Sequence, residues 1–239
     1  MEIKLFAFSR RREGVTVKEF RQYWEGVHAR QIADDQSLRR HVRRYELNHR
    51  LQEDYGRDRF RPEAAGAGWD GVAVLWFDSP ADFEAMQAEP TFGGHADDSA
   101  EFRDDTQLVV MTHAPEVIVT KSERADAGAK MVCILRRNAV LDLATFHKHW
   151  LDHHGGLFQK IPELNEPLLA YEQNHGVDAP GAPFDGVTEQ WFRSYESFVE
   201  SLDVEAVERE VNPDIAYFLD SPSIDYIMAA PPTVIVGDE

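Results

Sequence analysis

The sequence predicts an α+β protein built from two ferredoxin-like repeats, and an internal duplication is the first reason for this prediction. An arginine pair, a phenylalanine, a tryptophan and a histidine recur with the same spacing, each 126 residues after its first occurrence. One structural unit is therefore expected to occur twice. The matched residues are Arg10, Arg11, Phe20, Trp24 and His28, followed by Arg136, Arg137, Phe146, Trp150 and His154.

The second reason is the order of the predicted elements, which is strand, helix, strand, strand, helix, strand in each copy. Thr16 and Glu19 have capping-box spacing ahead of an apolar 3.6-residue period, which predicts a helix beginning near Val17. Asp142 is the equivalent cap in the second copy. In both copies a strand ending in Trp-Phe precedes the second helix. This order predicts an antiparallel sheet with both helices on one face.

The repeats are predicted to span residues 1–120 and 130–239, with a polar linker over residues 121–129. A sheet that carries helices on one face leaves its other face bare. We therefore expect the two bare faces to pack sheet to sheet, so that the chain behaves as a covalent dimer.

Composition excludes several classes of partner. With Lys+Arg 25 against Asp+Glu 43, the formal net charge is −18, which disfavours binding to nucleic acid. The longest apolar runs are strand-sized, whereas a membrane span needs about 20 residues. The N-terminus lacks a secretion-signal pattern, and the single Cys133 cannot form an internal disulfide. These features predict a cytoplasmic protein without a membrane partner.

A third repeated motif completes a family resemblance. Residues 45–49 read Tyr-Glu-Leu-Asn-His, and residues 171–175 read Tyr-Glu-Gln-Asn-His. Together with the Arg-Arg pair and Phe-x3-Trp-x3-His, these motifs resemble the EthD domain family, a branch of the dimeric α+β barrel superfamily. The resemblance implies ferredoxin-like units paired as an intramolecular barrel, with a small-molecule pocket between sheet and helices. Relatives include cyclases, dehydratases, cofactor-free oxygenases and haem enzymes, so the resemblance does not choose a reaction.

The repeated histidines are the first candidates for chemistry. Residues four apart lie on one side of a helix, so Phe146, Trp150 and His154 should form a buried stripe, as should the residues around His28. One interpretation is an aromatic core with a histidine satisfied by a backbone carbonyl. The other is a general acid/base that faces an apolar cavity, since imidazole titrates near neutral pH.

The second strand supplies further candidates. Alternation places Tyr45 and Tyr171 on the opposite strand face from Asn48 and Asn174. The tyrosines are pocket candidates because a phenol buries apolar area and still forms hydrogen bonds. The asparagines could bind substrate or tie the two sheets together.

Glu189 marks a difference between the repeats, because the matching strand of the first repeat is apolar throughout. A carboxylate in mid-strand needs a partner or water. Glu189 therefore predicts a polar cavity in the second repeat, shared with His154. The alternative is that Glu189 pairs with an arginine across the interface between repeats.

Cofactor motifs are weak. His149 and His153 have the spacing of a chelating pair, but no carboxylate or cysteine motif completes a set, so no metal is predicted. The family resemblance leaves a haem alternative, with His154 or His175 as axial ligand. No nucleotide, phosphate or serine-hydrolase motif is present, and the prediction is a protein without cofactors.

These observations predict a cofactor-independent lyase, dehydratase or cyclase that acts on a small, largely apolar and aromatic compound by histidine acid/base catalysis. The second repeat is favoured as the working one, and a homodimer is possible. The alternatives are a cofactor-free or haem-dependent monooxygenase and a non-catalytic binding protein. The predicted catalytic residues are His154, His28, Glu189, Tyr171 and Tyr45, and the predicted substrate-binding residues are Trp150, Trp24, Asn174, Asn48, His175, Trp191 and Trp76.

Overall fold

The computed structural model describes residues 1–55, 68–104, 108–179 and 181–237. In these ranges the predicted α+β class is confirmed, because the strands form two five-stranded antiparallel sheets and helices alternate with them. The strands are β1 Ile3–Ser9, β2 Arg44–His49, β3 Gly71–Phe77, β4 Leu108–His113, β5 Glu116–Thr120, β6 Ala129–Leu135, β7 Leu168–His175, β8 Gly186–Phe192, β9 Asp225–Ala229 and β10 Thr233–Val236.

The first sheet has the strand order β10-β2-β3-β1-β4 and the second has the order β5-β7-β8-β6-β9. The fifth strand of each sheet thus comes from the end of the other repeat. The chain divides accordingly into two compact units, of which one contains β1 to β4 with β10 and the other contains β5 to β9.

A short connection explains this exchange. β4 pairs with β1 at one edge of the first sheet, whereas β2 lies at the far side. Only two residues separate β4 from β5, so the three steps from one strand to the next reach about 10 Å. A strand added beside β2 would lie four strand spacings of about 4.8 Å from β4, which is roughly 19 Å. β5 therefore cannot return to β2 and adds instead to β7.

The helices begin where the sequence predicts. Thr16 caps α1 in a complete capping box with Glu19, and Asp142 accepts a hydrogen bond from the Thr145 backbone at the start of α6. Ser79 and Ser194 cap the second helices of the repeats. The helices are α1 Val17–Tyr23, α2 Ala29–Asp34, α3 Gln36–Arg39, α4 Pro80–Gln87, α5 Phe92–Asp97, α6 Leu143–His149, α7 Gly155–Lys160, α8 Pro162–Asn165, α9 Tyr195–Ser201 and α10 Asn212–Phe218.

In the first unit the core lies between the helices and one face of the sheet. Phe20 and Trp24 of the first helix pack in one cluster with Leu5, Ala7 and Tyr45 of the strands. These three strand residues share a face, because side chains alternate along each strand. The helices thus cover this face, as predicted.

The predicted linker has local structure of its own. It contains a 3₁₀ turn, Ser122–Asp126, and its last residue is already the first residue of β6. Among the described residues, no helix combines the length and the apolar character that a membrane crossing requires.

Candidate functional site

A π-helical turn positions the histidine in each repeat. α1 continues through the π-turn Trp24–His28 into α2, and the Ala29 amide donates to the Trp24 carbonyl. Trp150–His154 repeats this turn between α6 and α7. A π-turn carries one extra residue relative to an α-helical turn, and such turns are frequent at functional sites. The turn keeps both the tryptophan and the histidine buried. The predicted buried stripe is therefore present, although its last turn is π-helical rather than α-helical.

Each histidine is held by a carboxylate that sequence reasoning missed. The Nδ1 atom of His28 lies 3.0 Å from an Asp98 oxygen, and that of His154 lies 2.8 Å from an Asp214 oxygen. The aspartates are themselves equivalent, because they are 116 residues apart (214 − 98). This value lies between the displacement of the third strand, which is 115 residues (187 − 72), and that of the last strand, which is 117 residues (234 − 117). The sequence could therefore have identified Asp98 and Asp214 as matched residues of the two repeats from this displacement.

The second oxygen of each carboxylate binds a residue one turn earlier on the helix. In the first repeat the Tyr23 hydroxyl donates to Asp98 over 2.5 Å. In the second, His149 takes the place of the tyrosine and its Nε2 atom lies 2.6 Å from Asp214. We call these groups the His28–Asp98 pair and the His154–Asp214 pair. Each aspartate fixes the histidine ring through Nδ1.

Burial sets the protonation state of the pairs. Desolvation lowers the pKa of both His28 and His154, and the carboxylate partner opposes this effect without overcoming it. Desolvation also opposes the charge on Asp214, but hydrogen bonds from His154 and His149 outweigh it, so the pKa of that carboxyl is lowered. At neutral pH the imidazole of each pair is therefore neutral, and Asp214 is a carboxylate. When Nδ1 donates to the aspartate, the basic lone pair lies on Nε2.

A cavity of about 200 Å³ lies beside the His28–Asp98 pair, between the sheet and helices of the first unit. Most of its wall is apolar. Ser99 and Arg103 form a polar end of the cavity together with His28, because the Arg103 amide donates to the Ser99 carbonyl and Asp98, the residue before Ser99, contacts His28. The lining residues are Leu5, Ala7, Ser9, Trp24, His28, Ile32, Tyr45, Ala73, Leu75, Phe83, Met86, Gln87, Phe92, Ser99, Arg103 and Val109.

One cavity-lining position carries a bulkier side chain in the second repeat. Phe158 replaces Ile32, and its ring centroid lies 5.3 Å from that of His154 and 5.2 Å from that of Tyr171. The ring of Phe218 lies 5.0 Å from that of His154, as the equivalent Phe102 lies 4.9 Å from His28, so this contact is common to both repeats. The additional aromatic ring against His154 is therefore that of Phe158. The sequence favoured the second repeat as the working one, whereas the cavity described above belongs to the first.

The repeated tyrosines are fully buried on the helix-covered face. Tyr45 lines the cavity. The Tyr171 hydroxyl accepts hydrogen bonds from Trp150 Nε1 at 3.2 Å and from Gln173 Nε2 at 3.1 Å. Burial raises the pKa of both phenols, so each is a neutral hydroxyl at neutral pH.

The expectation that Glu189 shares a cavity with His154 is wrong. Strand pairing sets Tyr171 opposite Gln190, and the alternation of side chains turns Glu189 to the other face of the sheet. There Glu189 lies 2.6 Å from Lys130 Nζ and accepts from Asn174 Nδ2 over 3.1 Å. The partner is thus a lysine of the neighbouring strand rather than the arginine considered as the alternative.

Four predicted substrate-binding residues lie, like Glu189, on the sheet face that points away from the helices and the histidines. Asn48 donates to the Val72 carbonyl over 3.3 Å, and Asn174 donates to the Val187 carbonyl over 3.0 Å. Lysine ammonium groups lie 4.9 Å from the ring centroids of the two tryptophans. Strand alternation therefore corrects the expectation that these residues share a chamber with the histidines. The tryptophans are Trp76 and Trp191.

His175 lies on the helix-covered face but within a stack of rings. Its ring centroid is 4.8 Å from that of Trp150 and 4.4 Å from that of His147. The haem alternative for this histidine does not fit, since both neighbours stack on the imidazole. The cavity beside His28 in the first unit does not fit a haem either, because its volume of about 200 Å³ is below the roughly 300–1,000 Å³ of ordinary ligand pockets.

One polar cluster supplies the carboxylate that the sequence analysis found missing when it predicted no metal. The side-chain donor atoms of His149, His153 and Asp214 all lie within 4.8 Å of one another. The sequence showed the histidine spacing but not the carboxylate, because Asp214 is remote in the chain.

These features define a two-repeat α+β protein with a buried histidine–aspartate pair in each repeat and a small cavity beside the first pair. The EthD domain model matches residues 12–106 and 139–222, so the chain belongs to the EthD domain family. No curated protein matches the chain.

Solved structures share the fold at low sequence identity. An anthrone oxidase-like protein is 10% identical, covers 98% of this chain and 93% of its own, and has a TM-score of 0.65. A candidate monooxygenase from Fusobacterium nucleatum subsp. nucleatum ATCC 25586 is 5% identical, with 98% and 93% covered and a TM-score of 0.56. Another from Lactobacillus acidophilus NCFM is 12% identical, with 98% and 94% covered and a TM-score of 0.53. These likenesses establish the fold.

Proposed function

We propose that the protein is an enzyme in which the His28–Asp98 pair removes a proton from a small, largely apolar and aromatic compound bound in the cavity of the first unit. A single observation carries this proposal. His28 lines the cavity and is held through Nδ1 by Asp98, so its basic Nε2 atom is fixed in orientation.

The chemistry of the pair suits proton abstraction. Because burial lowers the pKa of His28, its ring is a neutral base at neutral pH. Proton transfer onto Nε2 creates an imidazolium, which the neighbouring carboxylate stabilises without itself taking a proton. The surrounding apolar wall excludes water, which strengthens that charge–charge interaction.

Size limits the substrate. An apolar cavity of about 150 Å³ holds benzene. The cavity of about 200 Å³ therefore suits one aromatic ring with its substituents or two fused rings. Tyr45 and Trp24 contribute aromatic surface against which such a ring would stack.

The reaction that follows is a lyase, dehydratase or cyclase step. Removal of a proton from carbon next to a carbonyl leaves the electron pair delocalised onto the carbonyl oxygen. That pair then expels a hydroxyl group, which leaves as water with the proton held by His28, or attacks a second carbonyl to close a ring. In either case His28 returns to its neutral form.

Deuterium exchange tests the first step without knowledge of the natural substrate. In D₂O, the wild-type protein should accelerate exchange of the acidic α-protons of 2-tetralone, measured by proton NMR. His28→Ala should slow this exchange by about 100-fold or more, the range of general acid–base catalysis. His154→Ala is the matched control, since it removes the equivalent buried histidine. Equal exchange in wild type and His28→Ala, or loss only in His154→Ala, would overturn the proposal.

A cofactor-free monooxygenase is the second candidate, favoured by the fold likeness to the anthrone oxidase-like protein. The same proton abstraction would give a carbanion that reacts with O₂, so that a CH₂ group and O₂ become a carbonyl and water. An oxygen electrode with 2-tetralone, whose two fused rings fit the cavity, distinguishes the candidates. His28-dependent oxygen uptake would establish the monooxygenase, and its absence alongside α-proton exchange favours the lyase class.

A further inference from the structure

Two buried polar groups stand at the cavity without a hydrogen-bond partner among the described residues. They are Ser99 Oγ and Arg103 Nε, and both residues line the cavity. Ser99 is only 7% exposed. A buried polar group without a partner is costly, so a persistent one indicates that something else satisfies it.

The second repeat shows that these residues are not needed to build the fold. The bridges Arg11↔Arg103 and Arg137↔Leu219 establish that Leu219 occupies the position of Arg103. The same register places Ile215 at the position of Ser99. The second repeat thus folds with two apolar residues where the first has two polar residues at a cavity.

The two unpartnered groups of the polar end can both donate hydrogen bonds. Arg103 carries only N–H donors, and Ser99 adds a hydroxyl donor. The neighbouring Asp98 carboxylate is engaged by Tyr23 and by His28, so its oxygens are occupied within the protein. A ligand oxygen with negative charge matches such a donor group, because charge-assisted hydrogen bonds to guanidinium are the strong ones.

We propose that Arg103 and Ser99 bind an anionic oxygen of the ligand, either a carboxylate substituent or the enolate oxygen that forms when His28 removes a proton. This inference rests on the proposed function only for the enolate source. It defines the substrate class as a small arene with an acidic oxygen function. The apolar wall holds the ring, and the polar end fixes its orientation toward His28.

Isothermal titration calorimetry with benzoate and benzamide tests the site independently of turnover. Wild type should bind benzoate at least tenfold more tightly than benzamide. Arg103→Leu, which copies the second repeat, should abolish this preference, while Ser99→Ala should reduce it. Arg39→Leu removes an exposed arginine and is the matched control. An unchanged preference in Arg103→Leu, or no benzoate binding by wild type, would overturn the proposal.

The two sources of negative charge are separated by the exchange assay with 2-tetralone, which has no carboxylate. Slower exchange in Arg103→Leu with unchanged 2-tetralone affinity assigns the enolate oxygen to Arg103. Unchanged exchange together with a lost benzoate preference assigns a substrate carboxylate. Arg103-dependent benzoate binding without any exchange activity would refute the proposed function while sustaining the anion site.

A separate observation supports a metal site in the second repeat. His149 Nε2 lies 2.6 Å and His153 Nε2 lies 3.5 Å from the same oxygen of Asp214. Ligands at about 2.0–2.1 Å from a tetrahedral Zn²⁺ ion are roughly 3.3 Å apart, so small side-chain adjustments would place all three around one ion. His153 is 59% exposed, which leaves a fourth position for water.

The geometry points to a binding site for a divalent transition metal of the zinc type at His149, His153 and Asp214. Two imidazoles and one carboxylate are the donor set that such ions prefer. Binding replaces the hydrogen bond between His149 and Asp214, and the proton on Nε2 of His149 moves to Nδ1 or to water. The first repeat has Tyr23 and Val27 at the matching positions and cannot form this set.

Titration of the full chain with Zn²⁺ and with Co²⁺ tests the site. Co²⁺ should give the visible absorption of a tetrahedral centre, and His153→Ala should weaken Zn²⁺ binding at least tenfold. Lys148→Ala, an exposed change on the same helix, is the control. His153 is exposed, so its replacement leaves the core intact. Equal Zn²⁺ affinity in His153→Ala and wild type, or the absence of a tetrahedral Co²⁺ spectrum, would overturn the assignment.

Discussion

Removing Lys130 should destabilise the second unit more than removing its partner Glu189. The two side chains form an ion pair of 2.6 Å and are 2% and 1% exposed. Removing one partner of such a pair costs about 3–5 kcal/mol, because the other charge stays buried. In Lys130→Met, Glu189 keeps the hydrogen bond from Asn174, but a neutral amide does not balance the buried carboxylate charge. We expect the full cost of about 3–5 kcal/mol.

The opposite variant should cost less, because Lys130 keeps an aromatic contact when Glu189 is removed. Lys4 is the equivalent of Lys130, and Val74 stands where the second repeat has Glu189. Lys4 is buried with its ammonium 4.9 Å from the Trp76 ring centroid, and Lys130 has the same distance to Trp191. A desolvated cation–π contact contributes about 2 kcal/mol. Glu189→Val should therefore cost about 2 kcal/mol less than Lys130→Met.

Urea unfolding followed by circular dichroism measures both free energies, and the double variant Lys130→Met with Glu189→Val closes the cycle. The double variant should be near wild type in stability, since buried pairs exchange for apolar side chains at little cost. The double variant should also keep the wild-type rate of deuterium exchange with 2-tetralone, because Glu189 faces away from the histidines. A Glu189→Val variant as unstable as Lys130→Met, or a double variant whose cost is the sum of both, would refute this reasoning.

Three further predictions concern the first unit. Asp98→Asn removes the carboxylate that raises the pKa of His28, so this pKa should fall further. The acid limb of the pH–rate profile for deuterium exchange should then move to lower pH. A shift to higher pH would contradict the role assigned to the His28–Asp98 pair. Gly71→Ala places a Cβ 2.6 Å from the Trp24 ring, and thermal unfolding should show a loss of about 1–3 kcal/mol; an unchanged melting temperature would contradict the close packing. Ile32→Phe copies the second repeat and should abolish benzoate binding with the melting temperature retained; undiminished binding would show that the cavity is not the ligand site.

Local signals explain why most elements could be predicted from the sequence. The Thr16 capping box and the Asp142 cap act within one helical turn, so their effect is readable from neighbouring residues. The exchange of β5 and β10 could not be read this way. It follows from which edge of the sheet β4 occupies, a property of strand order rather than of local composition.

The misplacement of Glu189 has a similar origin. A mid-strand carboxylate does need a partner, and it has one in Lys130. The alternation of the strand shows that Glu189 faces away from Gln190. Strand pairing then places Gln190 beside Tyr171, which packs in the core, so Glu189 lies on the opposite face. By contrast, Asp98 and Asp214 were within reach of sequence reasoning, because their spacing continues the duplication. Their contacts with His28 and His154 still depend on tertiary structure.

The duplication separates residues that build the fold from residues that serve a ligand. Both repeats keep a histidine–aspartate pair and a tryptophan packed against a strand glycine, so these features alone do not distinguish a working site from a scaffold. The repeats differ in what surrounds the histidine. The first has a cavity with Arg103 and Ser99 at its polar end, whereas Phe158 packs against His154 in the second. A base acts only where a substrate can approach it, so the chemistry should follow the cavity rather than the histidine.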